Sequence, residues 1–167
     1  MKFFSIYIIF SFIMTMETVR NLDLERFMGK WYVISNIPNF IEKNRSNSYD
    51  TYSLNQDGTI DISYYGDKNG KTLHLKQKAE VKDTINNSLW QLRITKPYIP
   101  FLRLPYKVIL LDDKYDHMVV GYDGSTMGWI MCRDNHMDDI VYDSIMKQLE
   151  DKFNYKRSQF FKVEHDK

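Results

Sequence analysis

The sequence predicts an all-β fold: an eight-stranded antiparallel up-and-down β-barrel, with a C-terminal α-helix packed outside and a short final strand. Two observations carry this. From about residue 30 to residue 133, apolar and polar residues alternate with period two between short turn signals. The period then changes once, to helical spacing. Strands joined by short loops pair antiparallel with their sequence neighbours. Each carries one apolar face, and closing the sheet hides that face while removing both edges. The rival is a two-sheet sandwich of immunoglobulin type. Its Cys…Trp…Cys framework is absent, because the chain holds a single Cys.

Residues 1–16, "MKFFSIYIIFSFIMTM", place one Lys before an apolar run too short for a comfortable membrane span. Residues 1–20 are read as a secretory signal peptide, with processing between Thr15 and Asn21, and residues 21–167 as one domain. The chain is therefore expected to be exported. No Cys follows the apolar run, so a lipid anchor of bacterial type has no expected attachment point. Strands are expected near 30–38, 47–56, 59–66, 72–83, 88–95, 105–112, 116–122 and 126–133. The fourth is the cleanest: Leu73, Leu75, Gln77, Ala79 and Val81 oppose His74, Lys76, Lys78, Glu80 and Lys82. "NQDGT", "GDKNGK", "DTINNS", "DDKYD" and "YDGSTMG" supply turns. In "MDDIVYDSIMKQLEDKF", Val141/Tyr142, Ile145/Met146, Leu149 and Phe153 recur at helical spacing, and "SQFFKV" forms the last strand.

Hydrophobic residues make up 43% of the chain, enough for a real core, which excludes disorder. The formal charge of +1, from 23 basic and 22 acidic side chains, argues against a general nucleic-acid binder.

Three short stretches are more specific. "GKWY" (Gly29 to Tyr32), "DDKYDHMVVGY" (Asp112 to Tyr122) and "WIMCR", which ends at Arg133, resemble the three motifs of the lipocalins. The likeness runs from about Leu22 to Val163 and is nearest the bacterial lipocalin and apolipoprotein D branch. It implies a barrel closed at one end beneath a short helix, "DLERFM". Gly29 would admit the sharp turn off that helix. Trp31 would plug the closed end, with the Arg133 guanidinium across its indole. It also implies a small hydrophobic ligand in the cavity.

With strand one starting at the closed end, the loops at 38–46, 66–71, 95–104 and 122–126 gather at the mouth. Alternation then points Val33, Tyr52, Tyr64, Leu75, Gln77, Leu92, Tyr106, Val108 and Trp129 inward as ligand-lining residues. If Tyr52 faces inward so does Asp50, a charge that needs a partner. Lys43, Arg45, Lys68, Lys71, Lys96 and Arg103 give the mouth a basic rim, while the opposite loops are acidic. An apolar shaft under a basic rim suits a fatty acid or lysophospholipid, with Lys43, Arg45, Lys96 and Arg103 as head-group contacts. "KPYIPFLRLP" (Lys96 to Pro105) is held extended by three prolines. Its apolar side chains suit a lid, a transient membrane contact, a dimer contact or simple packing over the rim. Monomer and homodimer both stay open.

No GxSxG, HExxH, phosphate loop or CxxC occurs. "NHMDD" sets His136 near Asp138 and Asp139, which read more simply as helix-capping acids than as metal ligands. Cys132 is out of phase with the inward residues, so it should face outward under the helix. A binding protein with no catalysis, metal or cofactor is therefore expected. A lipocalin-fold enzyme of isomerase type and an exported protein-interaction module are the alternatives.

Overall fold

A computed structural model describes residues 16–166. Residues 1–15 of the expected signal segment lie outside the described residues. Residues 16–20, assigned to the same segment, run along the barrel: the Val19 N–H donates to the Val108 carbonyl at 2.9 Å, and the Ser88 hydroxyl to Thr18 Oγ1 at 2.8 Å.

A short helix, α1 (Leu24–Phe27), is followed by β1 (Gly29–Asn36), β2 (Ser46–Leu54), β3 (Ile60–Lys68), β4 (Lys71–Val81), β5 (Leu89–Lys96), β6 (Leu104–Leu111), β7 (His117–Gly121) and β8 (Gly128–Cys132). The chain ends with α2 (Asp139–Phe153) and β9 (Phe161–Lys162). From β1 to β8 each strand pairs antiparallel with the next, and β1 pairs with both β2 (Trp31 opposite Asp50) and β8 (Val33 opposite Met131). That last pairing closes the barrel, as the alternation predicts.

The barrel separates two cores. Inside, Trp31, Tyr52, Ile60, Ile62, Ala79, Trp90, Val108, Met118 and Met131 pack together. Outside, the opposite-phase residues Ile34, Ile109, Val119 and Ile130 bury α2 through Tyr142, Ile145, Met146 and Leu149. The helix starts where the Asp138 carboxylate accepts the Ile140 N–H at 2.8 Å, and it stops at Asn154 in a left-handed conformation (φ 56°). Cys132 packs into this outer core, as its phase predicts.

The register shifts at four places, among them bulges between Val33 and Ser35 in the β1–β8 pair and between Val108 and Leu110 in the β6–β7 pair. A bulge inserts one residue and so switches the face that later side chains occupy. Hence Ser35 receives a hydrogen bond from the α2 residue Tyr142 (3.0 Å), while Asn36 reaches the mouth loop.

Beyond the Tyr32–Tyr49 pair, β1 and β2 part company. The C-terminal segment fills that gap. β9 pairs with Ser35 and Asn36, the Val163 N–H donates to the Ile34 carbonyl (2.9 Å), and the Asn47 N–H donates to the Glu164 carbonyl (2.8 Å).

Candidate functional site

The closed end is built around Gly29, which sits at φ +95°, a conformation that disfavours any side chain. It lets the chain leave α1 and enter β1 at once. Two residues on, Trp31 is 0% exposed, and its indole N–H donates to the Phe27 carbonyl at 2.8 Å. Phe27 packs at 5.2–5.4 Å from the rings of Trp31, Tyr52 and Trp90, which seals the floor. The Arg133 guanidinium lies 3.7 Å from the Trp31 ring centroid, the stack that the resemblance implies. It also donates to the carbonyls of Arg26 (2.8 Å), Phe27 (3.1 Å) and Lys30 (2.9 Å). Arg133 thus neutralises the carbonyl end of α1 as well as covering the indole. Nothing in the sequence signals this second role, because it depends on where a four-residue helix ends in space.

Above the floor lies a cavity of about 280 Å³, with mostly apolar walls. Of the sequence-predicted lining residues, Tyr52, Tyr64, Leu75, Gln77, Leu92, Tyr106 and Trp129 stand on its wall. Val33 and Val108 point inward but belong to the packed floor rather than to the cavity wall. Their cross-strand partners, Met131 and Val120, do line the cavity. Ile62, Ile94, Leu104 and Val120 complete the apolar wall. Alternation already marks them as inward.

The mouth carries charge of both signs. Lys43, Lys96 and Arg103 are exposed on the rim, and none of them lines the cavity. Arg45 is spent on structure, with Nε donating to the Ile41 carbonyl (2.7 Å) and a terminal nitrogen to the Gly66 carbonyl (3.2 Å). The basic rim therefore lies outside the shaft. What enters the mouth is the loop of residues 37–45. The Asn39 side chain accepts the backbone N–H groups of Ile41 and Glu42, folding the loop inward. Glu42 Oε2 then accepts from the Trp129 indole and from Asn36 Nδ2, each at 2.7 Å. Opposite, Ile99 and Leu102 of the proline-rich segment also line the cavity, whereas Tyr98 and Phe101 point away.

The floor is polar at one point. Tyr52 and Tyr106 hydroxyls are 2.7 Å apart, and Tyr52 donates to Asp50 Oδ2 at 3.3 Å. Asp50 Oδ1 is buried and has no hydrogen-bond partner. Burial first, and the nearby Glu42 charge second, together push the Asp50 carboxyl up to about 8 against the lowering effect of the Tyr52 hydrogen bond. Burial likewise raises Glu42, against the lowering effect of its three side-chain hydrogen bonds.

Cys132 stands outside the barrel, half-buried, with its thiol raised above the ordinary range by burial. Asp138 caps α2, and among the described residues no group of three or more His, Cys, Asp or Glu could hold a metal ion.

A family model described as "Lipocalin-like domain" matches residues 22–165. Temperature-induced lipocalin-1 of Arabidopsis thaliana is 30% identical over 139 residues, 80% of this chain and 74% of the relative. Outer membrane lipoprotein Blc of Citrobacter freundii is 30% identical over 115 residues, 69% of this chain and 64% of the relative. Among solved structures, insecticyanin of the tobacco hornworm Manduca sexta superposes with a TM-score of 0.72 at 14% identity, covering 92% of this chain and 86% of its own. The cockroach allergen Per a 4 gives 0.66 at 17% identity, covering 91% and 94%.

Proposed function

Because the chain belongs to the lipocalin-like family, whose members bind small hydrophobic ligands, we propose that it carries or stores an acyl lipid, a fatty acid or lysophospholipid, in the barrel cavity. The observation that supports this most is a mostly apolar shaft of about 280 Å³, closed at one end and opening under a basic rim. At about 30 Å³ per water-sized group, the shaft holds roughly nine methylenes. Burying them contributes roughly 7 kcal/mol gross, comparable with the lower range of association costs. The chain enters tail-first. Its head group stays at the rim, where Lys43, Lys96 and Arg103 meet it in water and add preference rather than affinity.

The wall itself provides the test. Leu92→Trp places an indole in the shaft, and native mass spectrometry of delipidated protein with dodecanoic acid reads the result. Wild type is expected to take up one acid per barrel, and the folded variant to lose at least tenfold in affinity. Equal uptake by both would place the lipid elsewhere and sink the reading.

Membrane exchange is part of the proposal, supported by one observation. Phe40 (91% exposed), Tyr98 (76%) and Phe101 (96%) project from the two loops that frame the mouth. Their apolar surface would be buried by a lipid surface laid across the opening. Tyr98→Ser with Phe101→Ser, both off the cavity wall, is expected to cut sedimentation with phosphatidylcholine vesicles at least fivefold, with dodecanoate affinity unchanged. Unaltered sedimentation rules the contact out. Export to a compartment that contains lipid surfaces fits the apolar stretch of residues 1–15 and the outer-membrane lipoprotein among the relatives. Catalysis has little support, since the only thiol lies outside the cavity.

A further inference from the structure

The polar groups inside the shaft have a sign. Two carboxyls face one cavity: Asp50 at its floor, level with Trp31, and Glu42 on the loop folded into its mouth. Among the described residues no Lys or Arg side chain lines that cavity. The remaining ionisable groups that face Asp50 are phenols, Tyr52 on β2, Tyr106 on β6 and Tyr64 on β3. Tyr52 and Tyr106 are held protonated by burial. Arg45, the cation nearest Glu42, is tied to backbone carbonyls outside the wall.

Asp50 is also incompletely matched. Tyr52 serves one oxygen, and the other has no partner. Rotation about χ2 only exchanges the two oxygens, so one stays unmatched in either orientation. An unsatisfied buried polar atom costs about 1–3 kcal/mol, more when charged. A carboxylate ligand pushed head-first to this floor would add a third negative group to a dry space. A cation would do the reverse, supplying the counter-charge that both carboxyls lack.

We propose that the cavity is a site for an apolar ligand bearing a protonated amine, seated tail-outward with its ammonium against Asp50 and beneath Glu42. This rests on the cavity being the ligand site and adds to it a chemical class for the deep end. Anionic lipids enter tail-first and hold their head at the rim; aliphatic amines enter head-first and are bound more tightly. Amine binding turns Asp50 from a largely protonated acid at pH 7 into the carboxylate of an ion pair. One proton then leaves for each ligand bound.

The test is isothermal titration at pH 7 with dodecylamine, dodecanol and dodecanoic acid, below their micellar concentrations and in two buffers of different ionisation enthalpy. The amine is expected to bind at least tenfold more tightly than the acid and to release close to one proton. Asp50→Asn is expected to lose at least tenfold for the amine, to keep the alcohol within threefold, and to abolish proton release. Glu42→Gln should weaken the amine less. Equal affinity for amine and acid, or amine binding without proton release, overturns this inference and leaves the acyl-lipid reading standing. Failure of all three probes overturns both.

Discussion

Trp31→Ala is expected to lower the free energy of unfolding by about 3–5 kcal/mol, the range for deleting a large buried aromatic. The indole is fully buried among Phe27 and the floor residues of the barrel, and its N–H is matched by the Phe27 carbonyl. Its removal leaves a void beneath the cavity and takes the surface from under the Arg133 guanidinium. Yet Trp31 does not line the cavity. Urea unfolding should therefore show the loss in full. Dodecanoate affinity, measured well below the unfolding midpoint, should stay within a few-fold of wild type. A variant with normal unfolding and lost uptake would mean that the plug is part of the ligand site. The most recognisable residue of the chain thus serves the fold, and the ligand is left to less distinctive positions above it.

Asp50→Asn is expected to stabilise the protein at alkaline pH and to leave it nearly unchanged at pH 4 and below. The folded protein holds the Asp50 carboxyl up at about 8, against an ordinary value of 3.8. Between about pH 4 and pH 8 the folded state keeps a proton that the unfolded chain releases. Stability therefore falls as pH rises through that window and levels off above it. At about 1.4 kcal/mol per unit, a shift of this size sets a ceiling of about 6 kcal/mol, reduced by water entering the shaft. Asparagine matches the neutral acid in shape and cannot ionise. Urea midpoints at pH 4 and pH 9 decide it: the variant should gain about 2–5 kcal/mol at pH 9 and less than about 1 kcal/mol at pH 4. Parallel profiles for wild type and variant would show that Asp50 is charged and solvated throughout. A cationic ligand against Asp50 would offset that cost, which links this measurement to the amine titration.

Much of this was legible in one dimension. Period-two alternation from Trp31 to Met131 marks which side chains face inward, and "TLHLKQKAEVK" does so without a break. The same phase argument set Cys132 outside, where it packs with α2. Phase says nothing of depth, however. Val33 and Val108 alternate like the wall residues yet are taken up in the packed interior core with Phe27, Trp31 and Trp90. Charge on a loop likewise does not say which way the loop folds. Lys43 and Arg45 flank Glu42 closely in sequence, but the Asn39 turn carries only Glu42 inside, where Trp129 and Asn36 hold it.

By itself the sequence determined the architecture: eight inward-facing apolar stripes, a glycine before the plug, an arginine to cover it, and a helix afterwards. Those are properties of local periodicity and of a few residues whose partners the barrel topology dictates. Only the tertiary structure decided the character of the cavity. The bulges that redirect Asn36, the C-terminal segment that fills the gap between β1 and β2, and the inward fold of Glu42 join residues far apart in the chain. The electrostatics of a buried group depend on every neighbour that displaces water from it. That is why Asp50 could be recognised beforehand as a charge in need of a partner, while the missing partner became visible only when the shaft was closed around it.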